Sequence, residues 1–357
     1  MSKKIRLALI FGGKSEEHEV SLVSARNIYQ ALDKKKYDVT LIGIDKTGRW
    51  LPFPAEALLK YSYESTISLD TYNKKSVVSL APATSRIVFS QGATKQKPFD
   101  VVFPVLHGPY GEDGSVQGLL KLMGVPFVGA GVLGSAVGMD KDVMKRLLRD
   151  AGLPIGRFEV VKSHESTPSF AKMKKLLGLP LFIKPANLGS SVGVSRVTNE
   201  KEYRAALKKA FQYDTKVLIE EYIEGREIEC AVLGNDNPQA SVPGEVITNK
   251  THHTFYSYEA KYLDESGAEI AIPAKLSQKQ SKEVRQLAVR VFQILCCEGM
   301  GRVDFFLKSD GTFVVNEINT IPGFTNSSMY PKMWEVSGLS YQKLLDTLIQ
   351  LALERSK

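Results

Sequence analysis

An α/β protein built from three units is what this sequence predicts, and three observations carry the prediction. Residues 5–45 read strand, helix, strand, the pattern of a βαβ unit on a parallel sheet. From about residue 155 the pattern restarts as a small α+β unit. From about 228 a larger α+β unit opens and includes a hairpin over 301–318. At 357 residues the chain is too long for one ordinary core. The expected divisions are 1–139, 140–227 and 228–357.

In order, Ile5–Phe11 is an apolar strand, "SLVSARNIYQAL" has helical spacing, and "YDVTLIGID" returns as a strand. Residues 46–99 are polar and irregular, an insertion with short strands. "FDVVFPVLHG" is a buried strand, and "DGSVQGLLKLMG" is a helix with Asp113 at its start and Gly124 past its end. "FVGAGVLGSAVGMDK" reads as a loop leading into a helix over Asp140–Ala151. In the second unit "RFEVV", "LPLFIKP", "VGVSRV" and "KVLIEEYI" are strands. A helix lies near "SFAKMKKLLG" and another over Glu200–Gln212, where Asn199 and Glu202 have capping-box spacing. The third unit holds strands "EIECAVLG" and "PGEVI", a loop over 249–266, a helix over 277–297, the hairpin, and a closing helix over 338–355. There are no internal repeats.

Hydrophobic residues make up 43% and charged residues 24%, values of a soluble globular protein. The net charge of +8 comes from lysines and arginines that are scattered rather than clustered with aromatics. That favours anionic small molecules over nucleic acid. The cysteines Cys230, Cys296 and Cys297 are odd in number. The adjacent pair lies in an apolar helical pattern, so core thiols in a reducing cytoplasm are expected. The first apolar run is too short for a signal peptide, and no stretch approaches the roughly 20 apolar residues of a membrane span.

"LALIFGGKSEEHEVS" places Lys14-Ser15 after two glycines, yet it is no P-loop. The glycine that should stand five residues before Gly13 is Ala8. Glu16, Glu17 and Glu19 would repel a polyphosphate. Carboxylates at a helix N-terminus suit a bound cation such as an ammonium, or else form a solvated first turn. Gly129, Gly131 and Gly134 match G-x-G-x-x-G, but no strand with an acidic tip follows about twenty residues later, so a dinucleotide site is rejected.

Four stretches carry chemistry. In "FIKPANLGSSVGVS", Lys184 ends a strand, and Gly189, Ser190, Ser191 and Gly193 form a hairpin-like flap able to approach phosphate oxygens. In "VLIEEYIEGRE", the backbone leaving Glu220 and Glu221 could meet an adenine edge, and Glu227 ribose hydroxyls; a solvated acidic strand end is the alternative. In "GRVDFFLKSDGTFVVNEINT", Asp310-Gly311 marks a tight two-residue turn. That register pairs Asp304 with Glu317 and Arg302 with Asn319, all on one face. Two carboxylates and an amide oxygen make a hard site for Mg²⁺ or Mn²⁺, and the guanidinium beside them can stabilise developing negative charge. A plain ion pair of Arg302 with Asp304 is the alternative. "HGPYGEDGS" follows a strand, where α/β sheets bind ligands, so His107 is either structural or a substrate neighbour.

Together these motifs resemble the ATP-grasp superfamily and, within it, the D-alanine–D-alanine ligase family. The likeness spans nearly the whole chain, through "GGKSEEHEVS", "LHGPYGEDG", "GMDKDVMKRLL", "FIKPANLGSSVGVS", "VLIEEYIEGREIE", "YEAKY", "GRVDFF" and "NEINTIPGFTNSSMYP". It implies an ATP-grasp fold and ATP-dependent joining of two D-alanines through a D-alanyl phosphate, for peptidoglycan precursors. It implies that Lys141 and Lys184 hold ATP phosphates, aided by Ser191 and Lys261. Glu220, Glu221, Tyr222 and Ile223 match the adenine hinge, and Glu227 the ribose ligand. Asp304, Glu317 and Asn319 match the ligands of two magnesium ions. Arg302 and the Gly323 backbone match the oxyanion stabiliser. Glu17 matches the residue that binds the first D-alanine ammonium, with Ser190 and Tyr262 bonded to it as the lid closes. His107 lies near the substrates, and Ser328 and Met329 match contacts to the second D-alanine carboxylate. A homodimer acting in the cytoplasm, without nucleic-acid or membrane partners, is expected.

Three rival readings are distinguishable. A D-alanine–D-lactate ligase shares the fold, but "YEAKY" with Tyr262 resembles the dipeptide-forming branch. An inactive nucleotide-binding regulator should lack a metal carboxylate or Arg302, and both are present. A nucleic-acid binder should show clustered cations.

Overall fold

The structure is a computed structural model that describes residues 3–62, 69, 78–81, 86–89, 98–248 and 268–355. Tyr262, Lys261 and the 249–266 loop lie outside the described residues.

The first sheet has the order β3-β2-β1-β6, from β1 (Ile5–Gly12), β2 (Tyr37–Ile44), β3 (Trp50–Pro52) and β6 (Val101–Val105). β1 is parallel to both β2 and β6, as the βαβ pattern requires. Helix α1 (His18–Ala31) crosses between β1 and β2. The 46–99 region contributes β3, α2 (Ala55–Leu59) and a hairpin of β4 (Val78–Ala81) with β5 (Arg86–Phe89). Helix α3 (Ser115–Met123) starts where the Asp113 carboxylate accepts the Ser115 N–H and ends on left-handed Gly124.

Residues 132–139 are a helix, not the expected loop: α4 (Val132–Met139) is followed directly by α5 (Lys141–Asp150). Asp140 separates them in extended conformation and caps α5 by accepting the Asp142 and Val143 N–H groups.

The second sheet, β7-β10-β8-β9, is antiparallel throughout. Its strands are β7 (Phe158–Lys162), β8 (Leu181–Pro185), β9 (Ser195–Val197) and β10 (Lys216–Glu221). Helices α6 (Phe170–Leu177) and α7 (Glu200–Ala210) supply Met173, Leu177, Tyr203 and Leu207 to its core. Asn199 caps α7 through the Glu202 N–H, but the Glu202 carboxylate turns back to the Thr198 N–H at 2.7 Å, one residue earlier than a capping box demands.

The third sheet, β14-β13-β11-β15-β16 with β12 paired to β11, is also antiparallel. It comprises β11 (Arg226–Gly234), β12 (Gln239–Ala240), β13 (Gly244–Thr248), β14 (Ala268–Ala271), β15 (Gly299–Leu307) and β16 (Phe313–Asn319). Helix α8 (Gln278–Ile294) carries a full capping box at Ser277 and Gln280 and packs Val284, Ala288 and Val291 on this sheet together with Met144 and Leu148 of α5. Helices α9 (Met329–Val336) and α10 (Tyr341–Glu354) instead join the apolar cluster of β1, β6 and α1, through Tyr330, Trp334, Leu344 and Leu348. The helix before the cysteines stops at Ile294. Cys297 is buried as expected, but Cys296 sits past the helix end at positive φ and is exposed. Burial pushes the Cys230 thiol up to about 12, which leaves it an inert core side chain.

The β15–β16 hairpin corrects the expected turn. Its loop spans Lys308 to Thr312, closed by Lys308 N–H to Thr312 O, and the pair nearest the loop is Leu307 with Phe313. A bulge at Asn316, one extra residue in β16, then shifts the register. Asp304 consequently faces Glu317, and Arg302 faces Asn319. The expected pairs are present, although the turn is longer than two residues.

Candidate active site

A cleft of about 530 Å³ is lined by strand ends and loops of the second and third sheets. Lys141, Lys184, Ser190, Ser191, Glu227 and Glu317 all border it, and the segment Glu220–Ile223 forms one wall. The flap from Leu188 to Val194 lies between β8 and β9, as the glycine spacing suggested. Within the flap Ser190 and Ser191 adopt positive φ, 49° and 61°, a strained geometry that turns the loop over the cleft.

The charges in the cleft are arranged in exchangeable pairs. Lys141 opens α5 and donates to Leu188 O at 2.6 Å, with its ammonium 3.5 Å from Glu317. Lys184 lies 2.8 Å from Glu220 Oε2. Reading the sequence missed Lys145, which is almost fully buried and lies 3.3 Å from the other Glu220 oxygen. Burial would raise the Glu220 carboxyl, but Lys145 and Lys184 outweigh it and hold the group below the usual range. Burial pushes Lys145 down, with Glu220 opposing. The signal for Lys145 was its place four residues after Lys141, on the same helix face. The Glu221 carboxylate points away to Arg157, which it meets at 2.6 Å, so only its backbone remains for a ligand. Tyr222 stacks at 6.0 Å on Phe182 beside that backbone.

A second, tighter pocket of about 80 Å³ adjoins this cleft and is lined by Glu17, His107, Glu112, Arg302, Gly323 and Ser328, with Met329 at its edge. Ser190 and Glu317 border both spaces. Glu17 occupies the N-cap of α1 but caps nothing; it accepts a hydrogen bond from the Ser190 hydroxyl of the flap. Gly108 beside it sits at φ +74°, a conformation that favours glycine, and a Cβ there would also lie 2.6 Å from the Glu17 carboxylate.

His107 is buried, and its Nδ1 donates to Ile321 O at 2.9 Å. In the neutral ring that contact selects the Nδ1–H tautomer and leaves Nε2 a buried acceptor with no hydrogen-bond partner among the described residues. Burial lowers its pKa to about 4. Glu112, inside the quoted "HGPYGEDGS" but not singled out, accepts the Gly108 N–H at 2.7 Å and the Ile321 N–H at 3.0 Å. Burial, and then the charge of Glu17, push it up to about 8.

Arg302 grips Asp304 with two 2.7 Å bonds and approaches Glu229 at 2.9 Å. The ion pair weighed as the alternative is therefore made, at the same place as the expected cation site. Asn319 reaches Asp304 at 3.0 Å, and its amide can turn to present oxygen. Two carboxylates and an amide, hard donors converging on one face, fit a magnesium-type cation, which takes its remaining ligands from water and phosphate. Among the described residues no group of three or more His, Cys, Asp and Glu is placed to hold a metal ion by itself.

A lysine-lined cleft under a glycine flap, joined through Glu317 to a smaller pocket that Arg302 lines, has the architecture of an ATP-grasp ligase. Comparison with known proteins agrees with that class. Residues 6–130 match the model described as D-ala D-ala ligase N-terminus, and residues 147–350 the one described as D-ala D-ala ligase C-terminus. A D-alanine–D-alanine ligase of Oceanobacillus iheyensis is 51% identical over 100% of this chain and 97% of its own. The solved D-alanine-D-alanine ligase of Coxiella burnetii superposes with a TM-score of 0.86 at 40% identity, covering 99% of this chain and 95% of its own. The VanG D-Ala:D-Ser ligase of Enterococcus faecalis gives 0.85 at 36%, covering 98% and 100%. This chain belongs to the D-alanine–D-alanine ligase family. It is an enzyme, an ATP-dependent ligase of a family that uses a divalent metal. Among the described residues no helix is long and apolar enough to cross a membrane.

Proposed function

We propose that the chain joins two D-alanines, with the residues in the following roles, and one observation carries the assignment: the Ser190–Glu17 bond that joins the nucleotide flap to the amine-binding carboxylate. The first D-alanine binds with its ammonium at Glu17, and its carboxylate faces the cleft. ATP lies with adenine against the 220–223 backbone, ribose at Glu227, and phosphates at Lys141, Lys184 and Ser191. The carboxylate oxygen attacks the γ-phosphorus, the bond to ADP breaks, and a D-alanyl phosphate results. The amine of the second D-alanine, its carboxylate at Ser328 and the Met329 backbone, then attacks the acyl carbon. Arg302 and the Gly323 amide stabilise the tetrahedral oxyanion. Inorganic phosphate leaves, and the amine loses a proton.

Asp304, Glu317 and Asn319 would hold two Mg²⁺ ions, or Mn²⁺, whose charge neutralises the transferring phosphoryl group. Tyr262 and Lys261 complete the lid and the phosphate site in this reading. Residues 1–139 serve the first substrate, 140–227 carry the flap, and 228–357 carry the metal site. In this reading the product supplies peptidoglycan precursors, and the enzyme works as a homodimer in the cytoplasm without nucleic-acid or membrane partners.

The test is phosphate release from ATP with D-alanine, L-alanine, or D-alanine plus D-lactate. Stimulation by D-alanine alone, with dipeptide as product, is expected. Release that needs D-lactate, or none with any amino acid, would overturn the reading.

A further inference from the structure

The polar face of α1 has no part in the chemistry above, yet it is buried. Ser21, Ser24 and Asn27 recur at three-residue spacing, with Ser21 and Ser24 fully buried and Asn27 nearly so. Each one bonds backbone outside the helix, Ser21 on two strand ends and Ser24 and Asn27 on one shared residue. Ser21 accepts the Gly12 N–H at 2.7 Å and donates to Val105 O, which fixes α1 to the ends of β1 and β6. Ser24 Oγ accepts the Phe324 N–H at 3.1 Å. Asn27 Nδ2 donates to Phe324 O at 3.1 Å and to Asn326 Oδ1 at 3.1 Å. The Tyr341 hydroxyl gives the same Phe324 carbonyl a second donor at 3.0 Å. Burial raises that hydroxyl's pKa, so it remains a donor.

Both backbone groups of Phe324 are therefore held by side chains. Its ring is pinned as well, edge-on to Phe103 at 6.0 Å and to Tyr341 at 6.1 Å. Phe324 follows Gly323 directly, and the same loop ends at Ser328. There is little slack, since a Cβ on Gly323 would come within 2.7 Å of Ser328 Oγ. At the other end of the helix stands Glu17. Seven residues separate Glu17 from Ser24, about 10 Å along a helix.

We infer that Ser24 and Asn27 are positioning residues for the second half-reaction: through the Phe324 peptide they hold the Gly323 amide and Ser328 at a fixed distance from Glu17. One rigid helix thus spaces the site of the first D-alanine from that of the second. The inference rests on the roles proposed above for Glu17, Gly323 and Ser328. Its consequence is selective. Loosening the clamp leaves ATP binding and acyl phosphate formation in place but misaims the oxyanion donor and the second carboxylate contact. The acyl phosphate then waits and is lost to water.

The experiment measures dipeptide formed and phosphate released by the full-length enzyme and by Ser24→Ala, Ser24→Thr, Asn27→Asp and Tyr341→Phe. Asn27→Asp keeps the shape but sets a carboxylate against a carbonyl. We expect Ser24→Ala and Asn27→Asp to lower kcat for dipeptide about tenfold, the scale of one buried group left unpaired. Phosphate should exceed dipeptide, the KM for the second D-alanine should rise, and the KM for ATP should stay within about twofold. Ser24→Thr keeps the acceptor and should restore coupling. Should the Ser24 and Asn27 variants fail to fold, Tyr341→Phe, which retains the ring in the core, should show the same uncoupling at about two- to threefold. A purely structural role predicts fewer active molecules with unchanged KM values and one phosphate per dipeptide, and that result in the folded variants would overturn the inference. If the wild-type enzyme ligates D-alanine while the variants match it, the clamp alone fails. If the wild-type enzyme shows no D-alanine-dependent phosphate release, the functional reading fails first.

Discussion

The larger cleft, proposed above to take the nucleotide, encloses about 530 Å³ and is set with paired side-chain charges: Lys141 with Glu317, and Lys184 and Lys145 with Glu220. The adjoining smaller pocket, proposed above to take the amino-acid substrates, encloses about 80 Å³, and backbone groups set much of its geometry, through Gly108, Ile321 and the clamped Phe324. Side-chain pairs can trade partners when phosphate and a cation enter, because each lysine and carboxylate keeps an equivalent attraction in the complex. Backbone donors cannot trade places. On the proposed roles, a site that admits and releases a large anion is thus joined to one that holds two small zwitterions in a fixed relation.

Glu317 borders both spaces and carries the largest expected effect. Glu317→Gln removes one of two carboxylates expected to meet the cation, while Asp304 and Lys141 remain. We expect ligation to fall by about 10³, the scale of several kcal/mol of transition-state charge stabilisation, with thermal unfolding unchanged. Normal turnover at ordinary magnesium would remove the metal assignment. Arg302 faces the substrate pocket, so Arg302→Met should cost about 10²–10³ in kcat, the usual scale of one oxyanion donor. A loss of ATP affinity with turnover preserved would make Arg302 a nucleotide contact instead.

How these residues come together was only partly legible in the sequence. Period-two alternation suffices to put Arg302, Asp304, Glu317 and Asn319 on one face, so the core of the site could be read. The loop and the bulge could not, because Asp-Gly signals a tight turn and nothing marks Asn316 as the extra residue. The two departures offset each other at the site. Helix α4 was hidden by its glycines. Gly134 and Gly138 look like loop residues, but a Cβ there would lie 2.5 Å from Cys296 O and 2.8 Å from Thr320 Cγ2; they let a helix pack closely. Lys145 was overlooked because its partner, Glu220, is distant in sequence, and only the fold places an ammonium inside that core.

Lys145 tests the cleft side of the comparison at smaller scale. Lys145→Met keeps the bulk and leaves Glu220 paired with Lys184 alone. The KM for ATP should rise about tenfold, as expected for a weakened charge-assisted contact, with coupling of phosphate to dipeptide intact. Uncoupling in place of a KM change would put Lys145 on the substrate side. Ser190→Ala should do the reverse. It removes the flap's bond to Glu17, opens the lid to water, and should raise phosphate released per dipeptide while the KM for ATP changes little. If Ser190→Ala leaves that ratio at one, the flap does not guard the acyl phosphate.

The smallest effect is one of stability and isolates the pocket's backbone-held histidine. His107 is buried neutral with its pKa lowered from 6.5 to about 4. The unfolded chain takes up a proton near pH 6.5 that the folded chain refuses until about pH 4. The stabilisation linked to neutral His107 is therefore complete above pH 6.5 and is lost as pH falls toward 4, by about 3 kcal/mol at most, at 1.36 kcal/mol per unit. Glu112 acts in the opposite sense. Its pKa is raised to about 8, so its contribution is present at low pH and is lost as pH rises from about 4.5 through 8. A wild-type curve alone mixes the two. His107→Gln separates them, since the glutamine amide can still donate to Ile321 O, does not titrate, and leaves Glu112 bonded to Gly108 and Ile321. Denaturant unfolding of both proteins at pH 7, 5.5 and 4.5 should show wild type losing stability faster than the variant as pH falls, with the gap narrowing toward pH 4. Parallel curves would mean that folding leaves the His107 pKa near its ordinary 6.5, so that below that pH Nε2 would be a donor in the smaller pocket rather than an acceptor.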